Sequence, residues 1–397
     1  MTLKIVATAD NHLGRHYARM PIRVLDARRR RIRRALGQVF EYTKENRADL
    51  LLLAGDLFDT PNPRNSERLY LARQLRDLYR SGVCVAAIAG NHDAPRSSTE
   101  EGGYLALAIY QELEALRLYE QLGPNLLIEP IVYELKGMRI ALGAFTPSAS
   151  LAPGQDPLEG VTYADVNADL RILMLHAGIE GKMYEGNEGV IKLNTLQAVN
   201  NVDLLIAGNV HCYEYFRVGK MHVVIPGATE WMDFGDAKST KPGFAEIEIS
   251  QSQEISVRHI IIEPQSRAEI VLKTEDIDPE DPTSTVIAHL KQEADKEKLA
   301  RLRIEGILTR AAYAKLNLGM VEDHARDLFF FCDFDLTNMR VQYNNGAVRG
   351  PSIRRSAKDE INHVVDDFLK LASEDIEREY LEDTRRALQA ELQQLER

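Results

Sequence analysis

The chain contains little cysteine and no long apolar run. Its three cysteines, Cys84, Cys212 and Cys332, lie far apart and form no C-x-x-C pair. This argues against a disulfide framework or a zinc ribbon and favours a reducing, cytoplasmic setting. The first apolar run, LKIVATA, contains Lys4 and ends before Asp10. It is too short and too charged for a signal peptide or a membrane span, and no other segment is long enough, so we expect no membrane contact.

Positive charge is also in deficit. The 397 residues include 49 lysines and arginines against 60 aspartates and glutamates, which gives a formal net charge of −11. Such a field repels nucleic acid, so a nucleic-acid partner would require a local basic patch or a metal centre. With 44% hydrophobic and 27% charged residues, the chain is long enough for one large domain and one or two smaller ones.

Apolar runs alternate with helical patterns over the first part of the chain. LKIVATA, DLLLLAG and VCVAAIAG are separated by two stretches with apolar residues at helical spacing, which is a βαβαβ order. Further strands are predicted at residues 138–145, 170–178, 202–208, 221–228 and 244–249. So many strands favour two packed sheets over one. The predicted fold class is α/β (α+β), with a two-sheet β-sandwich core flanked by helices.

The composition changes near residue 265. TEDIDPEDPTST is rich in proline and acid and predicts a loop over 274–285. Helical patterns then cover 286–294 and 310–325, and ARLRIEGIL and LFFFCDFDL predict strands. YNNGAVRGPS is typical of a linker. The predicted segments are a main domain over 1–265, a small α/β capping domain over 266–342, a linker over 343–355 and a helical segment over 356–397.

Polar side chains suited to metal binding follow five of the predicted strands. They are Asp10, His12, Asp56, Asp59, Asn91, His92, Asp93, His176, Asn209 and His211. In α/β proteins such strand ends meet at one edge of a sheet. A mixed set of oxygen and nitrogen ligands suits manganese, iron, zinc or magnesium. Two such ions held together by a shared carboxylate can activate water and hold a phosphoryl oxygen for in-line attack.

Each of these motifs has an ordinary structural interpretation when taken alone. Aspartate and histidine are common in loops, Asp56 could cap the following helix, and Gly-Asn marks many turns. Five such motifs in one order, each closing an apolar strand, favour a metal centre over chance loop composition.

The order D-x-H, GD-x-x-D, GNHD, a single histidine and G-x-x-H resembles that of the calcineurin-like metallophosphoesterases. TADNHLG, GDLFDTPNP, PGATEWMDFGD and LRIEGIL further resemble the SbcD branch, the nuclease component of a bacterial DNA double-strand-break repair complex. The resemblance spans residues 1 to about 340. It implies a metal-dependent exonuclease and endonuclease that hydrolyses phosphodiester bonds at DNA ends, together with an SbcC-like ATPase.

The resemblance also implies roles for individual residues. His92 would orient the scissile phosphate and protonate the leaving oxygen, and Asp59 would pair with that histidine. The two divalent ions would be Mn²⁺, with Mg²⁺ or Fe²⁺ as alternatives. The implied ligands are Asp10, His12, Asp56 and His211 for the first ion, and Asp56, Asn91, His176 and Asn209 for the second.

The chain departs from the family pattern at Asn209, where the family usually has histidine. A carboxamide oxygen is a weaker donor than imidazole for a late first-row ion, so we expect a weaker second site or one that favours manganese or magnesium. Two other functions remain open. One is a phosphodiesterase for small or cyclic nucleotides, and the other is a metal-poor scaffold that binds DNA.

Arginines crowd the segment that follows the first metal motif. Those predicted to contact DNA phosphates, without reading sequence, are Arg15, Arg19, Arg29, Arg30 and Arg33. The alternative is an ordinary solvated helix face, since Leu25, Ile32 and Leu36 supply an apolar stripe.

Two protein partners are implied by the resemblance. The amphipathic segment over 356–397 would dock on the coiled-coil root of an SbcC-like ATPase, although such a helix usually packs on its own domain. A homodimer would form through helices at 69–79 and 104–116.

Overall fold

A computed structural model describes residues 2–95, 100–119, 127–145, 155–182, 189–234, 240–342, 348–349, 362, 365–366, 368–369 and 375–395. The chain divides into two compact units. The first comprises Met1–His16 and Arg29–Pro264, and the second comprises Tyr17–Arg28 and Gln265–Arg397. The segment Tyr17–Arg28 thus groups with the second unit, whereas the sequence pattern predicted it to be part of a main domain over 1–265.

Among the described residues, the first unit contains two large six-stranded sheets, two short two-stranded sheets and four α-helices. Its strands are β1 (Leu3–Thr8), β2 (Leu50–Ala54), β3 (Cys84–Ile88), β4 (Arg117–Tyr119), β5 (Leu127–Ile128), β6 (Ile131–Leu135), β7 (Met138–Phe145), β8 (Thr162–Tyr163), β9 (Leu170–His176), β10 (Gly178–Ile179), β11 (Val190–Ile191), β12 (Leu204–Gly208), β13 (Glu214–Val218), β14 (Met221–Ile225), β15 (Gly243–Ile249) and β16 (Ile255–Ile261). Its helices are α1 (Ile22–Glu45), which begins in the second unit, α2 (Asn65–Arg80), α3 (Ala108–Glu112) and α4 (Leu193–Ala198).

The strand order shows how the two sheets are built. Sheet 1 has the order β16-β15-β1-β2-β3-β4, in which β1 to β4 are parallel. Sheet 2 has the order β13-β14-β12-β9-β7-β6, in which β14, β12, β9 and β7 are parallel. Antiparallel strands flank the parallel group of each sheet, with β15 and β16 on sheet 1 and β13 and β6 on sheet 2. The two short sheets pair β5 with β8 and β10 with β11.

Three apolar layers hold these elements together. Between the sheets, Ile5 and Leu52 of sheet 1 share a core with Ile172 of sheet 2. On the outer face of sheet 1, Phe40 of α1 belongs to a second core with α2 and α3. On the outer face of sheet 2, Leu196 of α4 belongs to a third. Each fully buried side chain of this size contributes about 1.5–3 kcal/mol. The predicted two-sheet sandwich flanked by helices is confirmed.

The strands that the sequence predicted are the ones buried on both faces. Met138–Phe145 forms β7 as predicted, β9, β12 and β14 lie within their predicted stretches, and β15 begins one residue before its own, at Gly243. The edge strand β16 was missed because its sequence ISVRHII is only partly buried and contains Arg258 and His259. Such half-exposed edge strands lack the continuous apolar run by which buried strands are found.

The second unit is a sheet covered by helices. Its elements are β17 (Arg267–Lys273), α5 (Pro282–Gln292), β18 (Asp295–Thr309), α6 (Arg310–Lys315), α7 (Leu318–Leu328), β19 (Phe329–Asp335), β20 (Met339–Gln342), β21 (Val348–Arg349) and α8 (Asp375–Leu395). The central strand β18 pairs in parallel with β17, β19 and β20. Val286, Leu302, Val321 and Met339 share its core.

Two boundaries of the second unit differ from prediction. The prediction of a single helix over 310–325 is wrong, because α6 ends at Lys315 and α7 begins at Leu318. The Asn317 side chain caps α7 by accepting a hydrogen bond from the Met320 amide at 3.0 Å. The loop predicted over 274–285 is too long, since Asp281 caps α5 and Pro282 is its first residue.

Beyond residue 342 the structure describes only part of the chain. Of the predicted linker, only Val348–Arg349 is described, as β21, and the rest lies outside the described residues. The predicted helical segment contains α8. None of the helices in the described part of the chain carries an apolar stretch of the length needed to cross a bilayer.

Candidate metal centre

The loops after β1, β2 and β3 of sheet 1 and after β9 and β12 of sheet 2 come together at one end of the sandwich. Glycine permits this approach. A Cβ on Gly208 would lie 2.0 Å from the Ala54 carbonyl oxygen, and one on Gly90 would lie 2.1 Å from an Asp56 carboxylate oxygen. Both distances are shorter than any real contact. The two AGN stretches of the sequence therefore contain glycine because the backbones touch there.

Four of the candidate ligands adopt left-handed backbone conformations. The φ values are 51° for Asp10, 44° for His12, 51° for Asp56 and 88° for Asn209. Such conformations cost roughly 1–3 kcal/mol each in non-glycine residues and concentrate at functional sites. Hydrogen bonds between the loops hold them, with the Asp10 amide donating to Gly55 at 3.1 Å and the His12 amide donating to Asp56 at 2.9 Å.

The predicted ligands of the first ion, called here the first half-site, are Asp10, His12, Asp56 and His211. One potential ligand atom from each of Asp10, His12 and His211 lies within 4.8 Å of the others. His12 Nε2 is 3.7 Å from Asp56 Oδ2. This buried nitrogen has no hydrogen-bond partner among the described residues. An orphaned buried ligand atom facing carboxylates fits a metal ion.

The predicted ligands of the second ion, called here the second half-site, are Asp56, Asn91, His176 and Asn209. His176 Nε2 lies 3.1 Å from Asn91 Oδ1 and 3.4 Å from Asp56 Oδ2. Its Nδ1 lies 2.8 Å from the Ala54 carbonyl. The Asn209 backbone amide donates to both Asp10 carboxylate oxygens at 3.1 Å. The Asn209 side-chain nitrogen is buried without a partner in the described structure, and turning the amide over would put its oxygen there.

The electrostatics of this edge also fit cations. Burial raises the pKa of Asp10 above its ordinary value, although His176 and His211 oppose the shift. Burial would raise the pKa of Asp56 too, but the neighbouring His176 and His12 lower it instead. Burial alone would lower the pKa of His176, yet Asp56 and Asp10 raise it to about 10. Buried carboxylates of this kind need a cation, either a proton on imidazole or a metal ion.

A family model described as calcineurin-like phosphoesterase matches residues 3–213, more than half of the chain. The chain belongs to the calcineurin-like phosphoesterase family. It is 22% identical to DNA double-strand break repair protein Mre11 of Sulfolobus acidocaldarius, over 77% of this chain and 75% of that protein. It is 23% identical to the SbcD component of nuclease SbcCD from Staphylococcus epidermidis, over 68% of this chain and 72% of that protein.

Solved structures are similar to this phosphoesterase as well. Calcineurin-like phosphoesterase YfkN of Bacillus subtilis aligns with a TM-score of 0.35 and 14% identity, covering 65% of this chain and 90% of that one.

His92 stands at the rim of the phosphoesterase site. Its backbone amide donates to Asp56 Oδ1 at 2.9 Å, and its ring lies 4.8 Å from the His12 ring between centroids. The His92 side chain is 42% exposed. Asp59, its predicted partner, lies 3.9 Å from His92 Nδ1 but 3.1 Å from His12 Nδ1. In this structure the Asp59 carboxylate thus hydrogen-bonds His12.

Asp93 belongs to the GNHD motif, and the sequence indicated no specific role for it. Its buried carboxylate accepts hydrogen bonds from the amides of Leu57 at 2.8 Å, Phe58 at 3.3 Å and Gly90 at 2.7 Å. Burial and the nearby Asp56 raise its pKa to about 7, while these hydrogen bonds oppose the shift. Asp93 therefore ties the loop that carries Asp56 to the loop that carries Asn91.

Asn11 was also missed by sequence reasoning. Its buried side-chain nitrogen donates to Thr8 Oγ1 at 3.0 Å and to Thr229 Oγ1 at 3.3 Å. This links the D-x-H loop to the PGATE stretch. The only sequence signal was the polar residue inside D-x-H, which the pattern itself treats as variable.

The five predicted DNA-contacting arginines lie in different surroundings. Arg15 donates to Asp59 Oδ1 at 3.1 Å, Arg29 donates to the carbonyls of residues 14 and 15, and Arg33 pairs with Glu67 at 2.8 Å. Arg19 belongs to the second unit, where it pairs with Asp333 at 2.8 Å.

The fifth arginine, Arg30, is exposed on α1. The nearby Arg28 is 1% exposed and donates to Gln265 Oε1 at 3.0 Å. The arginine-rich segment therefore combines buried structural side chains with exposed ones.

Proposed function

We propose that this chain is the metal-dependent nuclease component of a DNA repair complex and that it hydrolyses phosphodiester bonds at DNA ends. The observation that carries the proposal is that Asp56 belongs to two groups of side chains that could each hold a metal ion, one of which includes the exposed His92. A substrate phosphate can reach His92 from solvent, whereas the neighbouring His12 and Asp56 are buried. The names of the curated relatives supply DNA as the substrate class.

The residues divide the chemistry between them. Two divalent ions, Mn²⁺ in our proposal, would supply Lewis acidity that acidifies water and neutralises phosphoryl charge. Asp56 would be the ligand common to both. His92 would orient the scissile phosphate and donate a proton to the leaving oxygen, since its side chain lies at the rim beside both half-sites.

DNA binding requires cations that are not already engaged, because the net charge of −11 opposes it. Arg30 is the strongest of the five proposed phosphate contacts, being exposed on α1. Arg19 is 73% exposed despite its pair with Asp333, and it is a second phosphate contact in our proposal. The contacts of Arg15, Arg29 and Arg33 leave less of each side chain for DNA.

Two surfaces support protein partners. On α2 and near α3, large apolar side chains are exposed: Leu69 at 52%, Tyr79 at 62%, Ile109 at 59% and Leu113 at 68%. This surface is our proposed homodimer contact. On α8, Tyr380 is 73% and Leu388 is 42% exposed, which supports docking of an SbcC-like ATPase. Truncation after residue 349 should then abolish binding of that ATPase.

The decisive experiment is Mn²⁺-dependent cleavage of an end-labelled linear duplex by the pure chain, run beside a chromogenic phosphodiester. His92→Ala should remove duplex cleavage, and Arg76→Gln, an exposed change on α2, should not. Cleavage of the small diester alone would instead favour a small-substrate phosphodiesterase. No cleavage of either substrate, with DNA still bound, would favour the metal-poor scaffold.

A further inference from the structure

We infer that Asp59 and Arg15 are positioning residues for the metal ligand His12, an inference that rests on the proposed metal-dependent function. Family resemblance assigns Asp59 to His92, and the arginine-rich sequence suggested DNA phosphate for Arg15. The geometry points to a different arrangement, in which both side chains act on the first half-site.

The first step is the orientation of the His12 ring. His12 is 1% exposed, and its Nδ1 lies 3.1 Å from Asp59 Oδ1. A carboxylate only accepts hydrogen bonds, so Nδ1 carries the proton and the lone pair lies on Nε2. Nε2 is the orphaned nitrogen that faces Asp56 Oδ2 at 3.7 Å. Asp59 thereby fixes both the tautomer and the direction of the ligand atom, the arrangement found around metal-binding histidines.

The second step is the fixation of Asp59 itself. Arg15 Nη1 donates to Asp59 Oδ1 at 3.1 Å, and the His16 amide donates to Asp59 Oδ2 at 3.3 Å. The carboxylate is therefore held at both of its oxygens.

The third step connects this group to the helix behind it. Arg29 Nε, on α1, donates to the Gly14 carbonyl at 3.1 Å and to the Arg15 carbonyl at 3.0 Å. The backbone of the loop that supplies Arg15 is thus anchored to α1. A run of contacts leads from Arg29 through Arg15 and Asp59 to His12.

The distances fit the two alternative roles less well, namely pairing of Asp59 with His92 and contact of Arg15 with a DNA phosphate. Asp59 Oδ1 is 3.9 Å from His92 Nδ1, which is too long for a hydrogen bond, and His92 Nδ1 instead lies 3.4 Å from the Asp59 backbone carbonyl. The Arg15 side chain is 20% exposed and its guanidinium already donates to Asp59. A phosphate contact by Arg15 would have to compete with that carboxylate.

The test is Mn²⁺ binding to the full chain by calorimetry, in the absence of DNA. Asp59→Ala should weaken the tighter site by about 10–100-fold, the usual effect of losing a carboxylate behind a ligating histidine. Arg15→Gln should weaken the same site by a smaller factor. Arg76→Gln, an exposed change on α2, should leave Mn²⁺ affinity unchanged. Circular dichroism and thermal unfolding of the metal-free variants will show whether each is folded, and Asp59→Asn provides an isosteric variant if Asp59→Ala unfolds.

The outcomes separate this inference from the proposed function. Unchanged Mn²⁺ affinity in both Asp59 variants, with cleavage slowed as in His92→Ala, would overturn the inference and leave the nuclease intact. Weakened Mn²⁺ binding in a chain that cleaves no DNA would support the inference and count against the nuclease. A wild-type chain that binds no Mn²⁺ at all would overturn both.

Discussion

The two predicted half-sites share Asp56 but differ in the hydrogen bonds of His12 and His176. In the first, His12 Nε2 has no hydrogen-bond partner among the described residues, while Asp59 holds the opposite side of the ring. In the second, His176 Nε2 contacts Asn91 Oδ1 at 3.1 Å and Asp56 Oδ2 at 3.4 Å. The ligand atom of His12 is thus unengaged among the described residues, whereas that of His176 is already engaged by Asn91 and Asp56.

This difference teaches that the types of ligand alone do not decide how tightly each site binds an ion. An ion at the second half-site must replace the contact between His176 and Asn91, and exchanging one hydrogen bond costs about 0.5–1.5 kcal/mol. The carboxamide of Asn209 adds to the asymmetry because it is a weaker donor than imidazole. We therefore expect a tight first site and a weak second site, for two independent reasons.

The largest effect should come from removing what the half-sites share. Asp56→Asn should lower phosphodiester hydrolysis by roughly 10³-fold, or about 4 kcal/mol in activation free energy. It should also weaken Mn²⁺ at both sites, because the carboxylate charge is lost from each. Diester hydrolysis and calorimetry will measure this, with the exposed Asp77→Asn as the matched control. Loss of only one binding event would mean that Asp56 is not shared.

The next largest effect should come from replacing a histidine that belongs to only one of the two half-sites. His12→Ala should weaken the tight Mn²⁺ site by at least about 100-fold, because it removes the preorganised nitrogen. His176→Ala should abolish the weak site and leave the tight one nearly unchanged. Both variants are compared by Mn²⁺ titration of the metal-free chain. If His176→Ala removed the tighter site, our order of affinities would be reversed.

A smaller effect should reduce the difference in Mn²⁺ affinity between the two half-sites. Asn209→His places an imidazole at the second half-site and should tighten Mn²⁺ there on the order of 10-fold, or ~1.4 kcal/mol. Asn201→His is a suitable control, since Asn201 is exposed and, like Asn209, has a positive φ, 63° against 88°. Equal gains in the two variants would indicate a nonspecific effect of added histidine.

The smallest effect on the ratio of the two Mn²⁺ affinities should come from replacing Glu246, a buried carboxylate away from the site. The Glu246 side chain is fully buried, accepts from Tyr42 at 2.8 Å, and pairs with Lys4 at 3.3 Å and with Arg258. Glu246→Gln should destabilise the fold by roughly 1–3 kcal/mol at pH 7 and leave the ratio of the two Mn²⁺ affinities unchanged.

The difference in stability between wild type and Glu246→Gln should depend on pH through the pKa of Glu246. Burial would raise that pKa, but Arg258, Tyr42 and Lys4 lower it below the ordinary value of 4.5. The ionised side chain therefore contributes stability above about pH 4.5, and this contribution is lost as the pH falls through the lower folded pKa. Urea unfolding should show the difference between wild type and Glu246→Gln shrinking below pH 4.5. A constant difference would mean that the charge is unimportant.

Sequence patterns located the buried parts of the fold better than the exposed ones. Strands β2 and β3 are continuous apolar runs and β1 is interrupted only by Lys4 before its end, so the strand ends, and with them Asp10, Asp56 and Asn91, could be placed in advance. The break between α6 and α7 could not, because apolar spacing continues through Leu316 and the cap of Asn317 depends on one local hydrogen bond.

The amino-acid sequence by itself determined the two-sheet class of the fold and the residue types of the metal centre, because apolar periodicity and strand-end ligands are local properties. Only the tertiary structure decided which side chains meet. Asp59 lies 3.1 Å from His12 and 3.9 Å from His92, a difference that no spacing along the chain encodes. Arg15 and Arg29 hold loops in the same way, because a hydrogen bond depends on distances set when separate strands and helices pack.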